Sequence, residues 1–295
     1  MLSAMRKTSV PAVALLLAAV AGVSACAPED SGTGATPAAA TSGGALACAP
    51  ATLKTLTAGR LTIGTDQPAY EPWFKDDKPE SGEGFESAVA YAVATQLGYT
   101  KENVVWARVR FDSAIAPGPK SFDIDLNQFS ITEERRRAVD FSSPYYLVRQ
   151  AVVAKNSAPI AGAANLAGLK DAKLGAQVGT TSYQAITDLI KPSRQAQVFN
   201  TNDDAKQALE NGTIDGLVVD LPTAFYMTAA ELTDAKIVGQ MPQVGTPEGF
   251  GIVLDQGSPL TGCVTQAVDA LRTAGTLTSL EKQWLAQVAG APELS

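Results

Sequence analysis

Residues 127–135 read Asn127-Gln128-Phe129-Ser130-Ile131-Thr132-Glu133-Glu134-Arg135, and they run on to Asp140-Phe141-Ser142-Ser143-Pro144-Tyr145-Tyr146. Apolar and polar residues mix before this stretch, as at the end of a strand. Thr132, or Ser130 with Glu133 three residues on, then offers a helix N-cap. Arg135 falls in the first helical turn, where the macrodipole disfavours a cation. A cation placed there makes sense if it holds an anion that the free backbone N–H groups also attract. Taken alone, Arg135-Arg136-Arg137 reads first as a solvated charge run, the usual fate of such runs, and it is the rest of the chain that favours the anion site.

Working outward, 295 residues suffice for two medium domains with real cores. The net charge of −7, which becomes −9 once Arg6 and Lys7 leave with the leader described next, speaks against nucleic acid as a partner, because phosphates are repelled. The chain contains no histidine. That excludes Ser-His-Asp and Cys-His catalysis and every His-ligated metal site.

The N-terminus has the marks of a secretory leader: a basic start through Arg6-Lys7, an apolar run from Val10 to Val23, and small residues before Cys26. Residues 26–47 are expected to form a flexible tether, almost wholly Ala, Gly, Ser, Thr and Pro after the cysteine, with a reach of roughly 25 Å. Two further cysteines, Cys48 and Cys263, make an even pair in an oxidising compartment, and a Cys48–Cys263 disulfide would staple the C-terminal region to the start of the fold. Cys263 is placed on a helix opened by Ser258-Pro259 as N-cap and N1.

From residue 61 on, strands alternate with helices. Leu61 to Asp66, Val104 to Trp106, Lys173 to Val178, Gln197 to Phe199 and Gly216 to Val219 read as strands; residues 85–97, 182–190, 203–210, 259–273 and 277–288 read as helices. Leu147 to Ala154 and Phe250 to Leu254 read as strands crossing between two units. This order predicts an α/β fold of two lobes: lobe 1 from residues 48–150 and 247–295, lobe 2 from 151–246 inserted between them. Two crossings make a hinge, and open α/β sheets bind ligands at the crevice beyond their strand ends. Four pieces stand there: Asp66 with Tyr70, the Ser130–Arg135 turn, Gly179-Thr180-Thr181, and Asp220. A guanidinium opposite a carboxylate suits a zwitterion, its carboxylate on Arg135 and its ammonium on Asp220. Tyr70, Trp73 and Phe111 offer aromatic walls.

Over residues 53–290 the chain resembles the extracellular solute-binding proteins of amino-acid ABC importers, the polar amino-acid group. The resemblance is carried by Gly64-Thr65-Asp66 with Tyr70-Glu71-Pro72-Trp73, by Gly84-Phe85-Glu86, by Ser130 to Arg135 and Asp140 to Tyr146, and by Gly179-Thr180-Thr181 and Val218-Val219-Asp220. Val23-Ser24-Ala25-Cys26 resembles a lipobox, so that residues 1–25 are removed and Cys26 carries the lipid. The resemblance implies a two-lobed periplasmic-binding-protein type II clamp that closes on its ligand. It further implies Arg135 on the ligand α-carboxylate with help from Ser130 and Thr181, Asp220 on the α-ammonium, Tyr70 and Phe111 flanking the side chain, and Asp66 reading its polar end. No cofactor or metal is implied. The partners implied are a polar amino acid, an ABC permease and the outer face of the cytoplasmic membrane, with the protein acting as a monomer. Departures are an Asp66–Tyr70 loop one residue longer than usual, the Pro117-Gly118-Pro119 break, and Asn127-Gln128 where relatives carry small residues. The competing expectations are a dehydratase-like enzyme on the same fold, which needs a placed acid or base that only a carboxylate or lysine can supply, and the sensing part of a signalling system.

Overall fold

The computed structural model describes residues 48–285 and 290–295; the leader, Cys26 and residues 27–47 lie outside the described residues. Among the described residues twelve strands run in chain order: β1 (Leu61–Thr65), β2 (Val104–Arg108), β3 (Ile124–Asp125), β4 (Val139–Phe141), β5 (Tyr146–Val148), β6 (Gln150–Lys155), β7 (Leu174–Gln177), β8 (Gln197–Phe199), β9 (Gly216–Asp220), β10 (Ala235–Gln240), β11 (Glu248–Phe250) and β12 (Val253–Asp255). The α-helices are α1 (Phe85–Gln96), α2 (Phe111–Ile115), α3 (Thr181–Ala185), α4 (Asn202–Glu210), α5 (Leu221–Tyr226), α6 (Thr261–Thr273) and α7 (Thr276–Trp284).

These strands make two five-stranded sheets, ordered β2-β1-β3-β12-β4 and β10-β6-β9-β7-β8, and so two lobes. Each sheet is mixed. In lobe 1, β1 pairs in parallel with β2 and β3 while β12 is antiparallel to β3 and β4; in lobe 2, β7 is parallel to β8 and β9 while β6 and β10 run antiparallel. The apolar runs at the centre of lobe 2 follow from burial on both faces. Val152 and Val218 pack into one cluster, Ala151, Val153, Leu217 and Val219 into the other. In lobe 1, Gly64 of β1 is required by close approach: a Cβ there would meet the Asp125 carboxyl at 2.3 Å.

The lobes join through a third, two-stranded sheet in which β5 runs antiparallel to β11. Both crossings are therefore broken strands. Leu147 to Ala154 is two strands parted at Arg149, and Phe250 to Leu254 is likewise two, β11 beginning at Glu248 and β12 at Val253. The breaks let the chain leave one sheet, pair across the hinge, and enter the next. Three other expectations are corrected. Helix α6 starts at Thr261 with Leu260 as N-cap, because the Ser258 hydroxyl instead accepts from the Leu260 N–H at 3.2 Å. Trp73 is fully buried core, edge-on to Phe85, Tyr146 and Phe250, and is no cleft wall. The chain's end does not stay with lobe 1. Glu293 bridges to Gln240 of β10, and Leu294, 1% exposed, packs into a lobe 2 cluster. Cys48 and Cys263 are joined in a disulfide, tying the segment before β1 to α6.

Candidate functional site: an interlobe cleft with a guanidinium and three carboxylates

Where the sheets' strand ends face one another, Asp66, Tyr70, Phe111, Asn127, Gln128, Arg135, Gln177, Thr180, Thr181, Ser182, Asn202 and Asp220 line one cavity. Of the residues expected at the site, Trp73 lies in the core, Gly179 contributes its carbonyl to Arg135, and Ser130 stands outside the lining with its hydroxyl 3.2 Å from that of Thr181; the others are among them. A roomier cavity of about 250 Å³ between Pro72, Phe225 and Trp284 shares none of these residues and has no arginine in its lining.

Arg135 opens a short 3-10 helix, Arg135–Arg137, whose first N–H is capped by the Thr132 hydroxyl at 3.1 Å. Its guanidinium is held flat: Nη1 donates to the Ser130 carbonyl at 2.7 Å, Nη2 to the Gly179 carbonyl at 3.0 Å, and the group lies over the Phe111 ring at 5.4 Å. Phe111 is itself stacked on Phe129, ring centres 4.9 Å apart. Burial draws the Arg135 pKa down, while Glu248 and Asp220 act to hold the charge. Because the Ser130 carbonyl belongs to lobe 1 and the Gly179 carbonyl to lobe 2, this one side chain spans the cleft.

On the lobe 2 side, Thr180 caps α3. Its hydroxyl donates to the Gln177 carbonyl at 2.7 Å and accepts from the Tyr183 N–H at 3.3 Å. Asp220 ends β9, directly in register with Gln150 at the start of β6. The Gln150 amide donates to Asp220 at 2.8 Å, and its carbonyl accepts from the Ser182 hydroxyl at 2.6 Å. Burial first, and the neighbouring Glu248 next, push the Asp220 carboxyl up to about 8. On the lobe 1 side, Asp66 accepts from the Gln67 N–H at 2.7 Å and the Phe111 N–H at 3.1 Å. Burial raises its pKa against those two bonds and the charge of Arg110. Gln128 sits in the left-handed region at φ 50°, its backbone N–H donating to buried Glu86 at 2.7 Å and its amide to the same carboxyl. Burial carries Glu86 up to about 7 although Tyr145 and Gln128 donate to it.

Gln177, Ser182 and Asn202 of the lining escaped the sequence reading, and so did two residues that bind its carboxyls and hydroxyls, Gln150 and Glu248. Gln150 is a polar residue heading an apolar run, a signal of the same kind as Asp220 at the end of one. Glu248 gave no comparable sign, since it follows Gly245-Thr246-Pro247 in what reads as a loop. It accepts from the hydroxyls of Ser130 and Thr181 at 2.5 and 2.6 Å.

A hinged pair of α/β lobes around a small polar cleft, with a spanning cation and enclosed carboxyls, defines a solute-binding clamp. The chain belongs to the bacterial extracellular solute-binding proteins, family 3, whose pattern matches residues 61–287. It is 30% identical over 257 residues to an L-arginine-binding protein of Pseudomonas aeruginosa, covering 82% of this chain and 94% of that one. A probable histidine-binding protein of Campylobacter jejuni is 30% identical over 232 residues, 76% of this chain and 84% of the relative. Among solved structures, an ancestral arginine-binding protein bound to glutamine superposes with a TM-score of 0.65 at 30% identity, covering 77% of this chain and 98% of that chain.

Proposed function

We propose that the protein captures a polar amino acid between its lobes, outside the cytoplasmic membrane, and delivers it to an ABC importer. The observation that carries this reading is the arrangement of one spanning guanidinium, Arg135, with the enclosed carboxyl of Asp220 in the same cleft. A ligand α-carboxylate takes Arg135 with Ser130 and the Thr180-Thr181 turn, and its α-ammonium takes Asp220. Tyr70 and Phe111 flank the side chain, with Asn127 and Asp66 at its polar end. Asp66, Glu248 and, once a docked ammonium has ionised it, Asp220 outnumber the single cation among these groups, which favours a ligand of net positive charge. The arginine-binding relative is in keeping with that sign.

The same reading makes residues 1–25 a signal peptide, Cys26 the lipidated anchor and residues 26–47 the leash that keeps a monomeric clamp near its permease. Residues 48–150 and 247–285 form lobe 1, and residues 151–246, with the returning tail, form lobe 2. It assigns binding, not catalysis, to the charged groups of the cleft, and no cofactor. The test is calorimetry of the purified protein, stripped of co-purified ligand, against each common amino acid. Micromolar or tighter binding of at least one polar amino acid is expected, and Arg135→Ala is expected to weaken it by about 100-fold or more. Unchanged affinity in that variant overturns the site.

A further inference from the structure

Hinge strand β11 carries Glu248 into the cleft, and its carboxylate lies on donors that a ligand carboxylate would use. Oε1 accepts from the Ser130 hydroxyl of lobe 1 at 2.5 Å and from the Thr181 hydroxyl of lobe 2 at 2.6 Å. The Gln150 amide donates to both Glu248 oxygens, at 3.3 and 3.1 Å, and also to Asp220 at 2.8 Å. Arg135 meanwhile directs Nη1 and Nη2 to backbone carbonyls. At this end of the cleft, two carboxyl groups therefore face one guanidinium, and both hydroxyls are taken. An arriving ammonium meets the Asp220 carboxyl, which it holds in the ionised form. An arriving carboxylate meets a competitor of its own kind.

We propose that Glu248 is a built-in carboxylate, so that the clamp also takes primary amines lacking an α-carboxylate, the decarboxylated counterparts of its amino-acid ligands. This rests on the amino-acid reading above, because both ligand classes share the ammonium seat at Asp220. When an amine binds, Glu248 stays on Ser130 and Thr181 and ties the lobes together as a ligand carboxylate would. When an amino acid binds, its carboxylate displaces Glu248 from those hydroxyls. Glu248 is only half-buried, on the edge of a two-stranded sheet, and has room to leave.

The experiment is calorimetry of the purified wild-type, E248Q and E248A proteins with three matched pairs: arginine and agmatine, lysine and cadaverine, histidine and histamine. For the pair whose amino acid binds wild type most tightly, the amine is expected within about 30-fold of it. In E248A the amine is expected to weaken by about tenfold or more, from loss of a charged hydrogen-bonding partner, while the amino acid tightens. E248Q is expected to move both in the same directions by less. Opposite shifts in one protein cannot come from misfolding. An amine weaker than that margin in wild type, or amine and amino acid shifting together in both variants, overturns the proposal while leaving amino-acid capture standing. Failure of wild type to bind any member of any pair, or any other amino acid, overturns both.

Discussion

Asp220 stands at the end of β9 with Gln150 as its hydrogen-bond donor and with Glu248, Glu86 and Arg135 as the charges that bear on it. Burial and like charge together hold its pKa at about 8, so at pH 7 the empty cleft keeps a proton there. A docking ammonium reverses that balance, because an opposite charge at contact favours the ionised carboxyl. Binding at pH 7 is therefore expected to release close to one proton, and affinity is expected to rise as pH climbs from 6 to 8. Calorimetry in buffers of different ionisation enthalpy measures the count directly. It should shrink towards zero above pH 8.5 and vanish in Asp220→Asn; a buffer-independent enthalpy at pH 7 would show that Asp220 is not the ammonium's partner. At this scale, residues at strand ends were legible because an abrupt change from apolar to charged, as in Val218-Val219-Asp220, has few structural explanations. Glu248 was not, since only the pairing of β5 with β11, Glu248 opposite Val148, turns it towards the cleft.

Elements reveal a different division between what sequence carries and what packing decides. Helix α1 reads cleanly from its spacing, with Val89, Ala90 and Val93 buried and Gly98 closing it at φ 82°. The two broken crossings and the returning tail do not, for each is fixed by a distant partner and not by local preference. The tail is the sharpest case. The Leu294 N–H donates to the Gln240 carbonyl at 2.9 Å, the Gln240 N–H donates to the Pro292 carbonyl at 2.8 Å, and a Cβ at Gly239 would meet Leu294 at 2.7 Å. A side chain so enclosed contributes through burial and packing, so Leu294→Ala is expected to cost about 2–4 kcal/mol in urea unfolding. A loss within the scatter of surface substitutions would mean the tail merely rests on lobe 2. The disulfide acts on another element pair, closing a sequence separation of 215 residues. Its reduction is expected to lower stability by about 2–4 kcal/mol while leaving ligand affinity nearly unchanged, since Cys48 and Cys263 lie outside the cleft lining. A large affinity loss on reduction would tie the staple to the hinge.

At the scale of the whole molecule, the lobes meet through more than one side-chain contact. Arg135 with Gly179 and Ser130 with Thr181 close the ligand side. Apart from these, the buried Trp73 indole donates to the Thr223 hydroxyl of α5 at 2.9 Å. Thr223 does not line the ligand cavity, so its substitution separates closure from ligand contact. In the closed state Thr223→Val leaves the indole N–H buried without a partner, a penalty of about 1–3 kcal/mol. In an open state water can take the hydroxyl's place, and the penalty disappears. The variant is therefore expected to bind its ligand about tenfold more weakly, chiefly through faster dissociation, with unfolding of the ligand-free protein much less affected. Indole fluorescence supplies the companion measurement: ligand should change the emission of wild type, and Trp73→Phe should remove most of that change although Trp106 and Trp284 remain. Equal affinity for Thr223→Val and wild type would mean that the Trp73 contact persists when the cleft opens, and the hinge would then have to lie elsewhere than at the pairing of β5 with β11.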